Sequence, residues 1–298
     1  GFSEEVTARL ERELKVIGKL GFPNYFLIVC QAVRFAREHE LLVSIRGGGH
    51  NVAGLALCDD GLLIDLSPMK GVHVDTQRRI VRAQPGATLG DLDHETQAFG
   101  LAVSAGIVTT TGIAGLTLGG GFGWITPKYG LTVDNLLSAD VVTAEGELVK
   151  ASPNDNPDLF WGIRGGGGNF GIVTSFEYQA HPVGPTVYSG VIAHPMEKAR
   201  EVLSLVRDIL VDAPEELTVI PALRIAPPSP LLPQEIHGKP VILVTDKPEV
   251  FNHPVIDGLA CSWKLATLEE ALELIEGLYG RYVGSGAWAL ARLRCACG

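Results

Sequence analysis

Between Glu95 and Lys128 the chain carries no Asp, Glu, Lys or Arg. So long an uncharged run belongs either in a membrane or inside the protein, and its composition decides between them. Eight glycines fall in it, at 100, 106, 112, 115, 119, 120, 121 and 123, with threonines at 109, 110, 111, 117 and 126. Glycine at that density breaks any continuous helix, so the stretch does not read as a membrane span. Its exposed backbone N–H groups suit the lining of a large bound group, because no side chain screens them. A set of tight turns inside a β-rich domain is the alternative.

Two further glycine runs flank it. Arg46-Gly47-Gly48-Gly49-His50-Asn51 places three consecutive glycines, which admit φ > 0 and a close ligand approach, before a side chain that is nucleophilic when neutral. The second run is Arg164-Gly165-Gly166-Gly167-Gly168-Asn169-Phe170-Gly171. Within it Gly166, Gly168 and Gly171 satisfy G-x-G-x-x-G. That fingerprint requires a helix to follow, whereas Ile172 to Tyr178 is β-branched and aromatic and alternates as a strand does, so a Rossmann-type dinucleotide fold is excluded on context.

With 298 residues, 46% hydrophobic and 19% charged, the chain has the composition of a globular protein able to bury a sizeable core. A net charge of −10 and a pI near 5.3 argue against nucleic acid or an anionic membrane as partner, and favour a small-molecule ligand. Five cysteines, an odd number, do not make a disulfide framework. No basic-then-apolar opening of the secretory kind is present, so a reducing cytoplasm is the expected location. Cys295 and Cys297 lack the partners of a metal site, and none is expected.

In chain order, residues 3 to 20 read as an amphipathic helix, and Gly21 to Val29 as its stop followed by a buried strand. A short helix is expected from Ala32 to His39, then strands over Leu41–Ile45, Gly61–Leu66, Gly71–Asp75 and Arg79–Ala83. Thr88 caps a helix from Leu89 to Phe99, with Asp91 and Asp93 near its positive end. Ala139–Thr143 and Leu148–Lys150 form a hairpin, Asn156–Trp161 a turn and helix, and Ile172–Tyr178 a strand. Beyond Pro182 the pattern is a strand (Val187–Ala193), a helix (Glu197–Leu210) and strands over Leu217–Ile225 and His237–Val244, and Thr267–Tyr279 is a last helix.

Five segments together, Arg46 to Asn51, Gly112 to Gly123, Lys128 to Leu131, Asp134-Asn135 and Asp158 to Gly171, resemble in order and spacing the FAD-linked oxidases of the berberine bridge enzyme-like branch of the vanillyl-alcohol-oxidase superfamily. The resemblance covers about residues 32 to 244. It implies an α+β protein: a PCMH-type FAD-binding domain over 32–182, built of two α/β subdomains (about 32–70 and 71–182), then a partial antiparallel-sheet substrate domain over 183–244 and an unassigned tail, 245–298. It implies FAD, with Arg46, Gly47, Gly48 and Gly49 around the pyrophosphate and His50 as the covalent attachment point. Asn51, Gly54, Ala105, Gly106, Thr109, Thr110, Gly112, Gly115, Gly120, Gly121, Gly123, Asn169, Gly171, Ile172 and Val173 complete the cofactor contacts. Many members add a second bond from cysteine in a Gly-x-Cys-x-x-x-Gly motif, but aligning on Gly106 and Gly112 puts Val108 there, so a single linkage is expected. The implied activity is hydride transfer from an alcohol, sugar or similar small molecule to the flavin, with reoxidation by oxygen or another acceptor. Tyr129 is the one proton acceptor the pattern suggests. The alternative is a flavin-binding fragment or chimera that lacks its catalytic base. Residues 1 to about 30 separately resemble a passage of the bacterial DNA polymerase III alpha subunit, through Gly21-Phe22 and Tyr25-Phe26-Leu27-Ile28-Val29, and read as a foreign leader.

Overall fold

The computed structural model describes residues 25–184, 190–229, 232–245 and 288–291. The expected helices over 3–20 and 267–279, the pair Cys295 and Cys297, and most of the polymerase-like passage lie outside these residues.

The first described element corrects the sequence reading. Tyr25–Val29 is no strand: helix α1 runs without a break from Tyr25 to Glu38. The aromatic and β-branched run suggested a strand, but its buried members, Val29, Cys30 and Ala36, fall at helical spacing and face one side. That side packs on Ile64, Leu66, Met69, Val142 and Ile172. After α1, strands β1 (Val43–Arg46) and β2 (Leu62–Asp65) pair in parallel, Arg46 opposite Asp65.

The main sheet is antiparallel. Strands β3 (Val72–Asp75), β4 (Ile80–Ala83), β6 (Leu136–Val142), β7 (Leu148–Ala151) and β8 (Ile172–Gln179) stand in the order β3-β4-β8-β6-β7. One face carries Val81, Ala83, Ala139, Val141, Val173, Phe176 and Tyr178 into the core. These positions do not keep strict alternation, and the reason is visible in the pairing: the β6–β8 register shifts between Leu136 and Ser138 and again between Asp140 and Val141. Each irregularity resets which residues point inward, so Leu136, Ala139 and Val141 all reach the same core. Polar residues take the opposite face, where Arg82 bonds Asp140 at 2.6 Å and Ser175 at 2.8 Å.

Three helices cover the apolar face: α2 (Leu89–Gln97), α3 (Ile113–Leu118) and α5 (Pro157–Ile163), through Leu89, Leu92, Ile113, Leu118, Phe160 and Ile163. The expected Thr88 cap is present as a capping box, in which the Thr88 hydroxyl accepts from the Asp91 amide and the Asp91 carboxylate accepts from the Thr88 amide at 2.8 Å. Helix α3 lies in the uncharged stretch and explains it. Leu101 to Ala105, Gly112 to Ala114, Thr117, Leu118 and Gly123 to Ile125 are all buried, leaving no room for charge. No helix among the described residues is long and apolar enough to cross a membrane.

A short pair, β5 (Leu101–Ala102) with β9 (His181–Pro182), closes this unit. A second antiparallel sheet follows, in the order β11 (Ile220–Ile225), β12 (Pro240–Thr245), β10 (Gly190–Pro195), β13 (Trp288–Ala291). Helix α6 (Ala199–Val211) packs on it through Val202 and Val206 against Ile242. Short helix α4 (Thr126–Tyr129) borders the seam between the two units, where Ala102, Trp124, Ile125, Val183 and Leu217 cluster. An ion pair from Lys128 to Glu216 and a hydrogen bond from the Thr218 hydroxyl to the Trp124 carbonyl also tie the units together.

Candidate functional site

Helix α3 gathers the three glycine runs. At its N-terminal end the Arg46–Asn51 loop and the 108–112 loop meet backbone to backbone: a Cβ on Gly48 would sit 2.3 Å from the Gly112 nitrogen, and one on Gly112 2.3 Å from the Gly48 nitrogen. Only glycine allows that approach. At its C-terminal end the Gly165 amide donates to the Leu118 carbonyl at 3.1 Å, which brings in the Arg164–Gly171 run. Beyond α3 the chain continues through Gly119 to Gly123, and Gly123 sits so close on Ala105 that no Cβ fits there.

The 108–112 loop is also held from behind. The first amides of α2 donate into it, Leu89 to the Thr111 carbonyl and Gly90 to the Thr109 carbonyl, each at 2.9 Å. The Ile113 amide donates to Ala87 at 3.0 Å, and Thr88 bridges Gly112. These contacts fix the threonine run independently of the glycine loop in front of it.

His50 stands between the two loops. Its Nε2 lies 3.1 Å from the Thr110 hydroxyl and its Nδ1 3.4 Å from the Thr111 hydroxyl, so each ring nitrogen meets a hydroxyl from one of two consecutive threonines. The ring is otherwise exposed. Thr111 was not among the residues expected from sequence, although the Thr109-Thr110-Thr111 run was a signal for it.

The other expected residues fall into three groups. Arg46 lies 3.8 Å from Asp65 across the parallel pair, with its guanidinium beside Gly49. Hydrogen bonds from the Ser67 backbone and hydroxyl, then the Arg46 charge, hold the Asp65 carboxyl below its ordinary range. Asn51 organises its own turn: its side-chain oxygen accepts from the Leu55 amide at 3.1 Å and its carbonyl from the Gly54 amide at 3.1 Å. Gly54, Gly115 and Gly120 form the second group, with open space where a side chain would be, as there is at Gly168, which was not expected as a contact. Ala105, Gly106, Thr109, Gly121 and Gly123 lie in the loops between. In the third group, Asn169 donates to the Gly166 carbonyl at 2.8 Å, and Gly171 takes φ 136° against the Val142 carbonyl. Ile172 and Val173 pair with Val142 and Val141, and their side chains are buried in opposite cores.

Tyr129 is placed differently. Its ring stacks on His181 at 4.1 Å and packs into the seam with Trp124 and Leu217. His181 in turn bonds the Asn135 side-chain oxygen at 2.5 Å, while the Asn135 amide donates to the Tyr129 and Leu131 carbonyls at 2.8 Å. Burial, then the Arg79 charge, hold the His181 imidazole below its ordinary pKa and so neutral. A separate cleft of about 360 Å³, lined by Phe26, His73, Arg82, Gln84 and Asp140 among others, opens on the polar face of the main sheet and includes none of the expected residues.

The open glycines at 54, 115, 120 and 168 suit a bound FAD, which would lie on bare backbone that a Cβ would otherwise cover, and the backbone-to-backbone contact holds two of the loops that carry or adjoin them together. Comparison with known proteins agrees. Residues 28–152 match the family model described as FAD binding domain. An FAD-linked oxidoreductase of Dictyostelium discoideum is 37% identical over 246 residues, 80% of this chain and 53% of that protein. The (R)-6-hydroxynicotine oxidase of Paenarthrobacter nicotinovorans is 43% identical over 164 residues, 55% of this chain and 36% of the oxidase. Among solved structures, 6-hydroxy-D-nicotine oxidase from Arthrobacter nicotinovorans superposes with a TM-score of 0.69 at 33% identity, covering 85% of this chain and 51% of that one. Xylooligosaccharide oxidase from Myceliophthora thermophila gives 0.67 at 28%, covering 91% and 53%. The chain thus spans about half the length, or less, of the relatives it matches. None of these relatives is a polymerase, so the likeness of residues 1–30 to one finds no support. Residues 28–152 are therefore similar to an FAD binding domain, and the proteins whose sequences match around them include FAD-linked oxidoreductases.

Proposed function

We propose that this chain is an FAD-dependent oxidoreductase, or the flavin-binding portion of one, that removes a hydride from an alcohol, sugar or similar small molecule. The flavin, when bound, supplies the hydride acceptor and passes electrons to oxygen or another acceptor. His50 is its attachment point, with Val108 in place of any second, cysteinyl link. The observation that carries the reading is the convergence on α3: two loops meet there backbone to backbone beside one histidine, itself held by two threonines, and the third glycine run joins the other end of the same helix.

Each group then has a role. The amides of Gly47 to Gly49 and the Arg46 guanidinium hold the pyrophosphate, where a planar cation and unscreened N–H donors suit phosphate oxygens. The carboxylate of Asp65 orients that guanidinium from behind. The loops at 105–112 and 119–123, with Asn169 to Val173, take the ring system and the adenosine end. Residues 32–182 form the flavin domain in this reading, and 183–244 begin a substrate domain whose sheet starts at β10. The names of the relatives, oxidases of 6-hydroxynicotine and of xylooligosaccharides, support a small polar substrate without selecting one.

The test is acid precipitation of the purified chain followed by mass spectrometry. Visible flavin absorbance in the precipitate and an added mass equal to FAD are expected, and both vanish in His50→Ala. A flavin-free precipitate from the unaltered chain refutes covalent attachment. A second reading, flavin binding without turnover, is favoured by Tyr129, which stacks on His181 in the seam and packs there with Trp124 and Leu217. A loaded flavin that no alcohol or sugar reduces would support it.

A further inference from the structure

We propose that Thr110 is a positioning residue for flavin attachment: its hydroxyl anchors His50 Nε2, so that Nδ1 is the nitrogen that forms the bond. The proposal rests on the reading of His50 as the attachment point and adds to it which nitrogen reacts and what selects it.

A neutral imidazole has one N–H and one lone pair, and only the lone-pair nitrogen can attack carbon. A free ring exchanges its tautomers through water. His50 is exposed, yet both nitrogens have a hydroxyl in reach, each able to donate or accept. The two contacts are unequal. At 3.1 Å the Nε2 to Thr110 contact is an ordinary hydrogen bond, whereas 3.4 Å from Nδ1 to Thr111 is at the outer limit. Whichever nitrogen bonds to carbon must give up its hydroxyl, and the chain loses least by giving up the longer contact. Nε2 then carries the proton and donates to Thr110, and Nδ1 faces the cofactor with its lone pair.

The backbone that carries both hydroxyls holds its place without His50, because α2 donates to the Thr109 and Thr111 carbonyls and the Thr111 amide donates to Val108 at 2.9 Å. In the attachment, one C–H bond of the methyl at C8 is replaced by a C–N bond. The methyl gives up one proton and the imidazole its N–H proton, while two electrons pass to the ring system and on to dioxygen, which becomes hydrogen peroxide. The proton that the imidazole loses is the one on Nε2, and Thr110 stands in position to accept its hydrogen bond as positive charge develops.

The experiment uses the full chain made under riboflavin limitation and then supplied with FAD, with adduct formation followed by mass spectrometry. Nitrogen-15 NMR of the histidines in the flavin-free chain reports the tautomer, His50→Ala identifying the signal. Thr110→Val should slow adduct formation roughly fivefold or more, the worth of one ordinary hydrogen bond. Thr110→Ser should restore the rate to within about twofold, and Thr111→Val should slow it less than Thr110→Val does. The NMR signal should show Nε2–H in the unaltered chain and a mixture in Thr110→Val. Equal rates for Thr110→Val and the unaltered chain, or a larger loss in Thr111→Val, overturn the proposal. If the unaltered chain forms no adduct, the attachment reading fails instead, and the tautomer signal alone decides the anchor: an Nε2–H form lost in Thr110→Val upholds it, and an unchanged spectrum sinks it.

Discussion

Replacing Gly48 by alanine tests whether the two loops at α3 are as close as their backbones indicate. The new Cβ would lie 2.3 Å from the Gly112 nitrogen and 2.4 Å from its Cα, where ordinary contact begins near 3.4 Å, so the loops must part by about 1.1 Å. Neither side can yield cheaply. The obstructing atoms are backbone, and Gly112 is pinned from behind by the Ile113 bond to Ala87 and the Leu89 bond to Thr111. On the other loop Gly47 already rests on the Pro85 carbonyl. Overpacking by one methyl costs about 1–3 kcal/mol where side chains relax, and with backbone on both sides the upper part of that range applies, about 2–3 kcal/mol.

For a folded unit of this size, that lowers the melting temperature by roughly 4–12 °C. The measurement belongs on flavin-free protein, since a bound cofactor adds stability of its own. A second readout is more specific. His50 lies two residues beyond Gly48, and Thr110 and Thr111 immediately precede Gly112, so the same parting pulls the ring from its hydroxyls and should cut covalent flavin loading severely. Gly112→Ala should do the same, and the double variant should cost less than the sum, because one separation accommodates both methyls. A Gly48→Ala chain within about 0.5 kcal/mol of the original, with normal loading, would refute the reasoning.

Gly115 gives the opposite result. It is a helical residue with nothing within 4 Å of its would-be Cβ, so Gly115→Ala should stabilise the flavin-free chain by about 0.5–1 kcal/mol while lowering FAD loading; a raised melting temperature with loading unchanged would show that the cofactor does not lie there. Asp93, on α2, has its carboxyl pushed up to about 8 by burial. The folded chain then holds a proton that the unfolded chain releases, so stability falls as pH rises from about 4 toward 8, and Asp93→Asn should flatten that slope in denaturant titrations across the range.

Much of the flavin domain was legible because its constraints are local. Thr88 with Asp91 three residues on specifies a capped helix, and the alternation from Ile172 to Tyr178 excluded a Rossmann turn despite the matching glycines. Three features were not legible, each for a different reason. Tyr25 to Val29 was misread because aromatic and β-branched residues fit either element, and burial against Ile64 and Met69, set by tertiary contact, decided for helix. Thr111 escaped notice because its role depends on which way two adjacent hydroxyls point, and no spacing rule carries that. Tyr129 was placed by its neighbours in sequence, but its stacking on His181 arises from β9, some fifty residues away.

The uncharged stretch that first limited the fold meets two demands at once, and they separate on opposite sides of α3. Gly115 leaves one side bare, while Thr117 on the other side donates to the Ile113 carbonyl and accepts from the buried Tyr178 hydroxyl, both at 2.8 Å. Burial holds that phenol protonated far above its ordinary range. Tyr178→Phe removes the donor and leaves a buried acceptor on Thr117 unpaired, which should cost about 1–2 kcal/mol in unfolding experiments. Because the change lies wholly on the core side, flavin loading in the folded fraction should stay normal. Loss of loading in Tyr178→Phe without loss of stability would show that the two sides are coupled, and that α3 is not the rigid divider on which the placement of the cofactor depends.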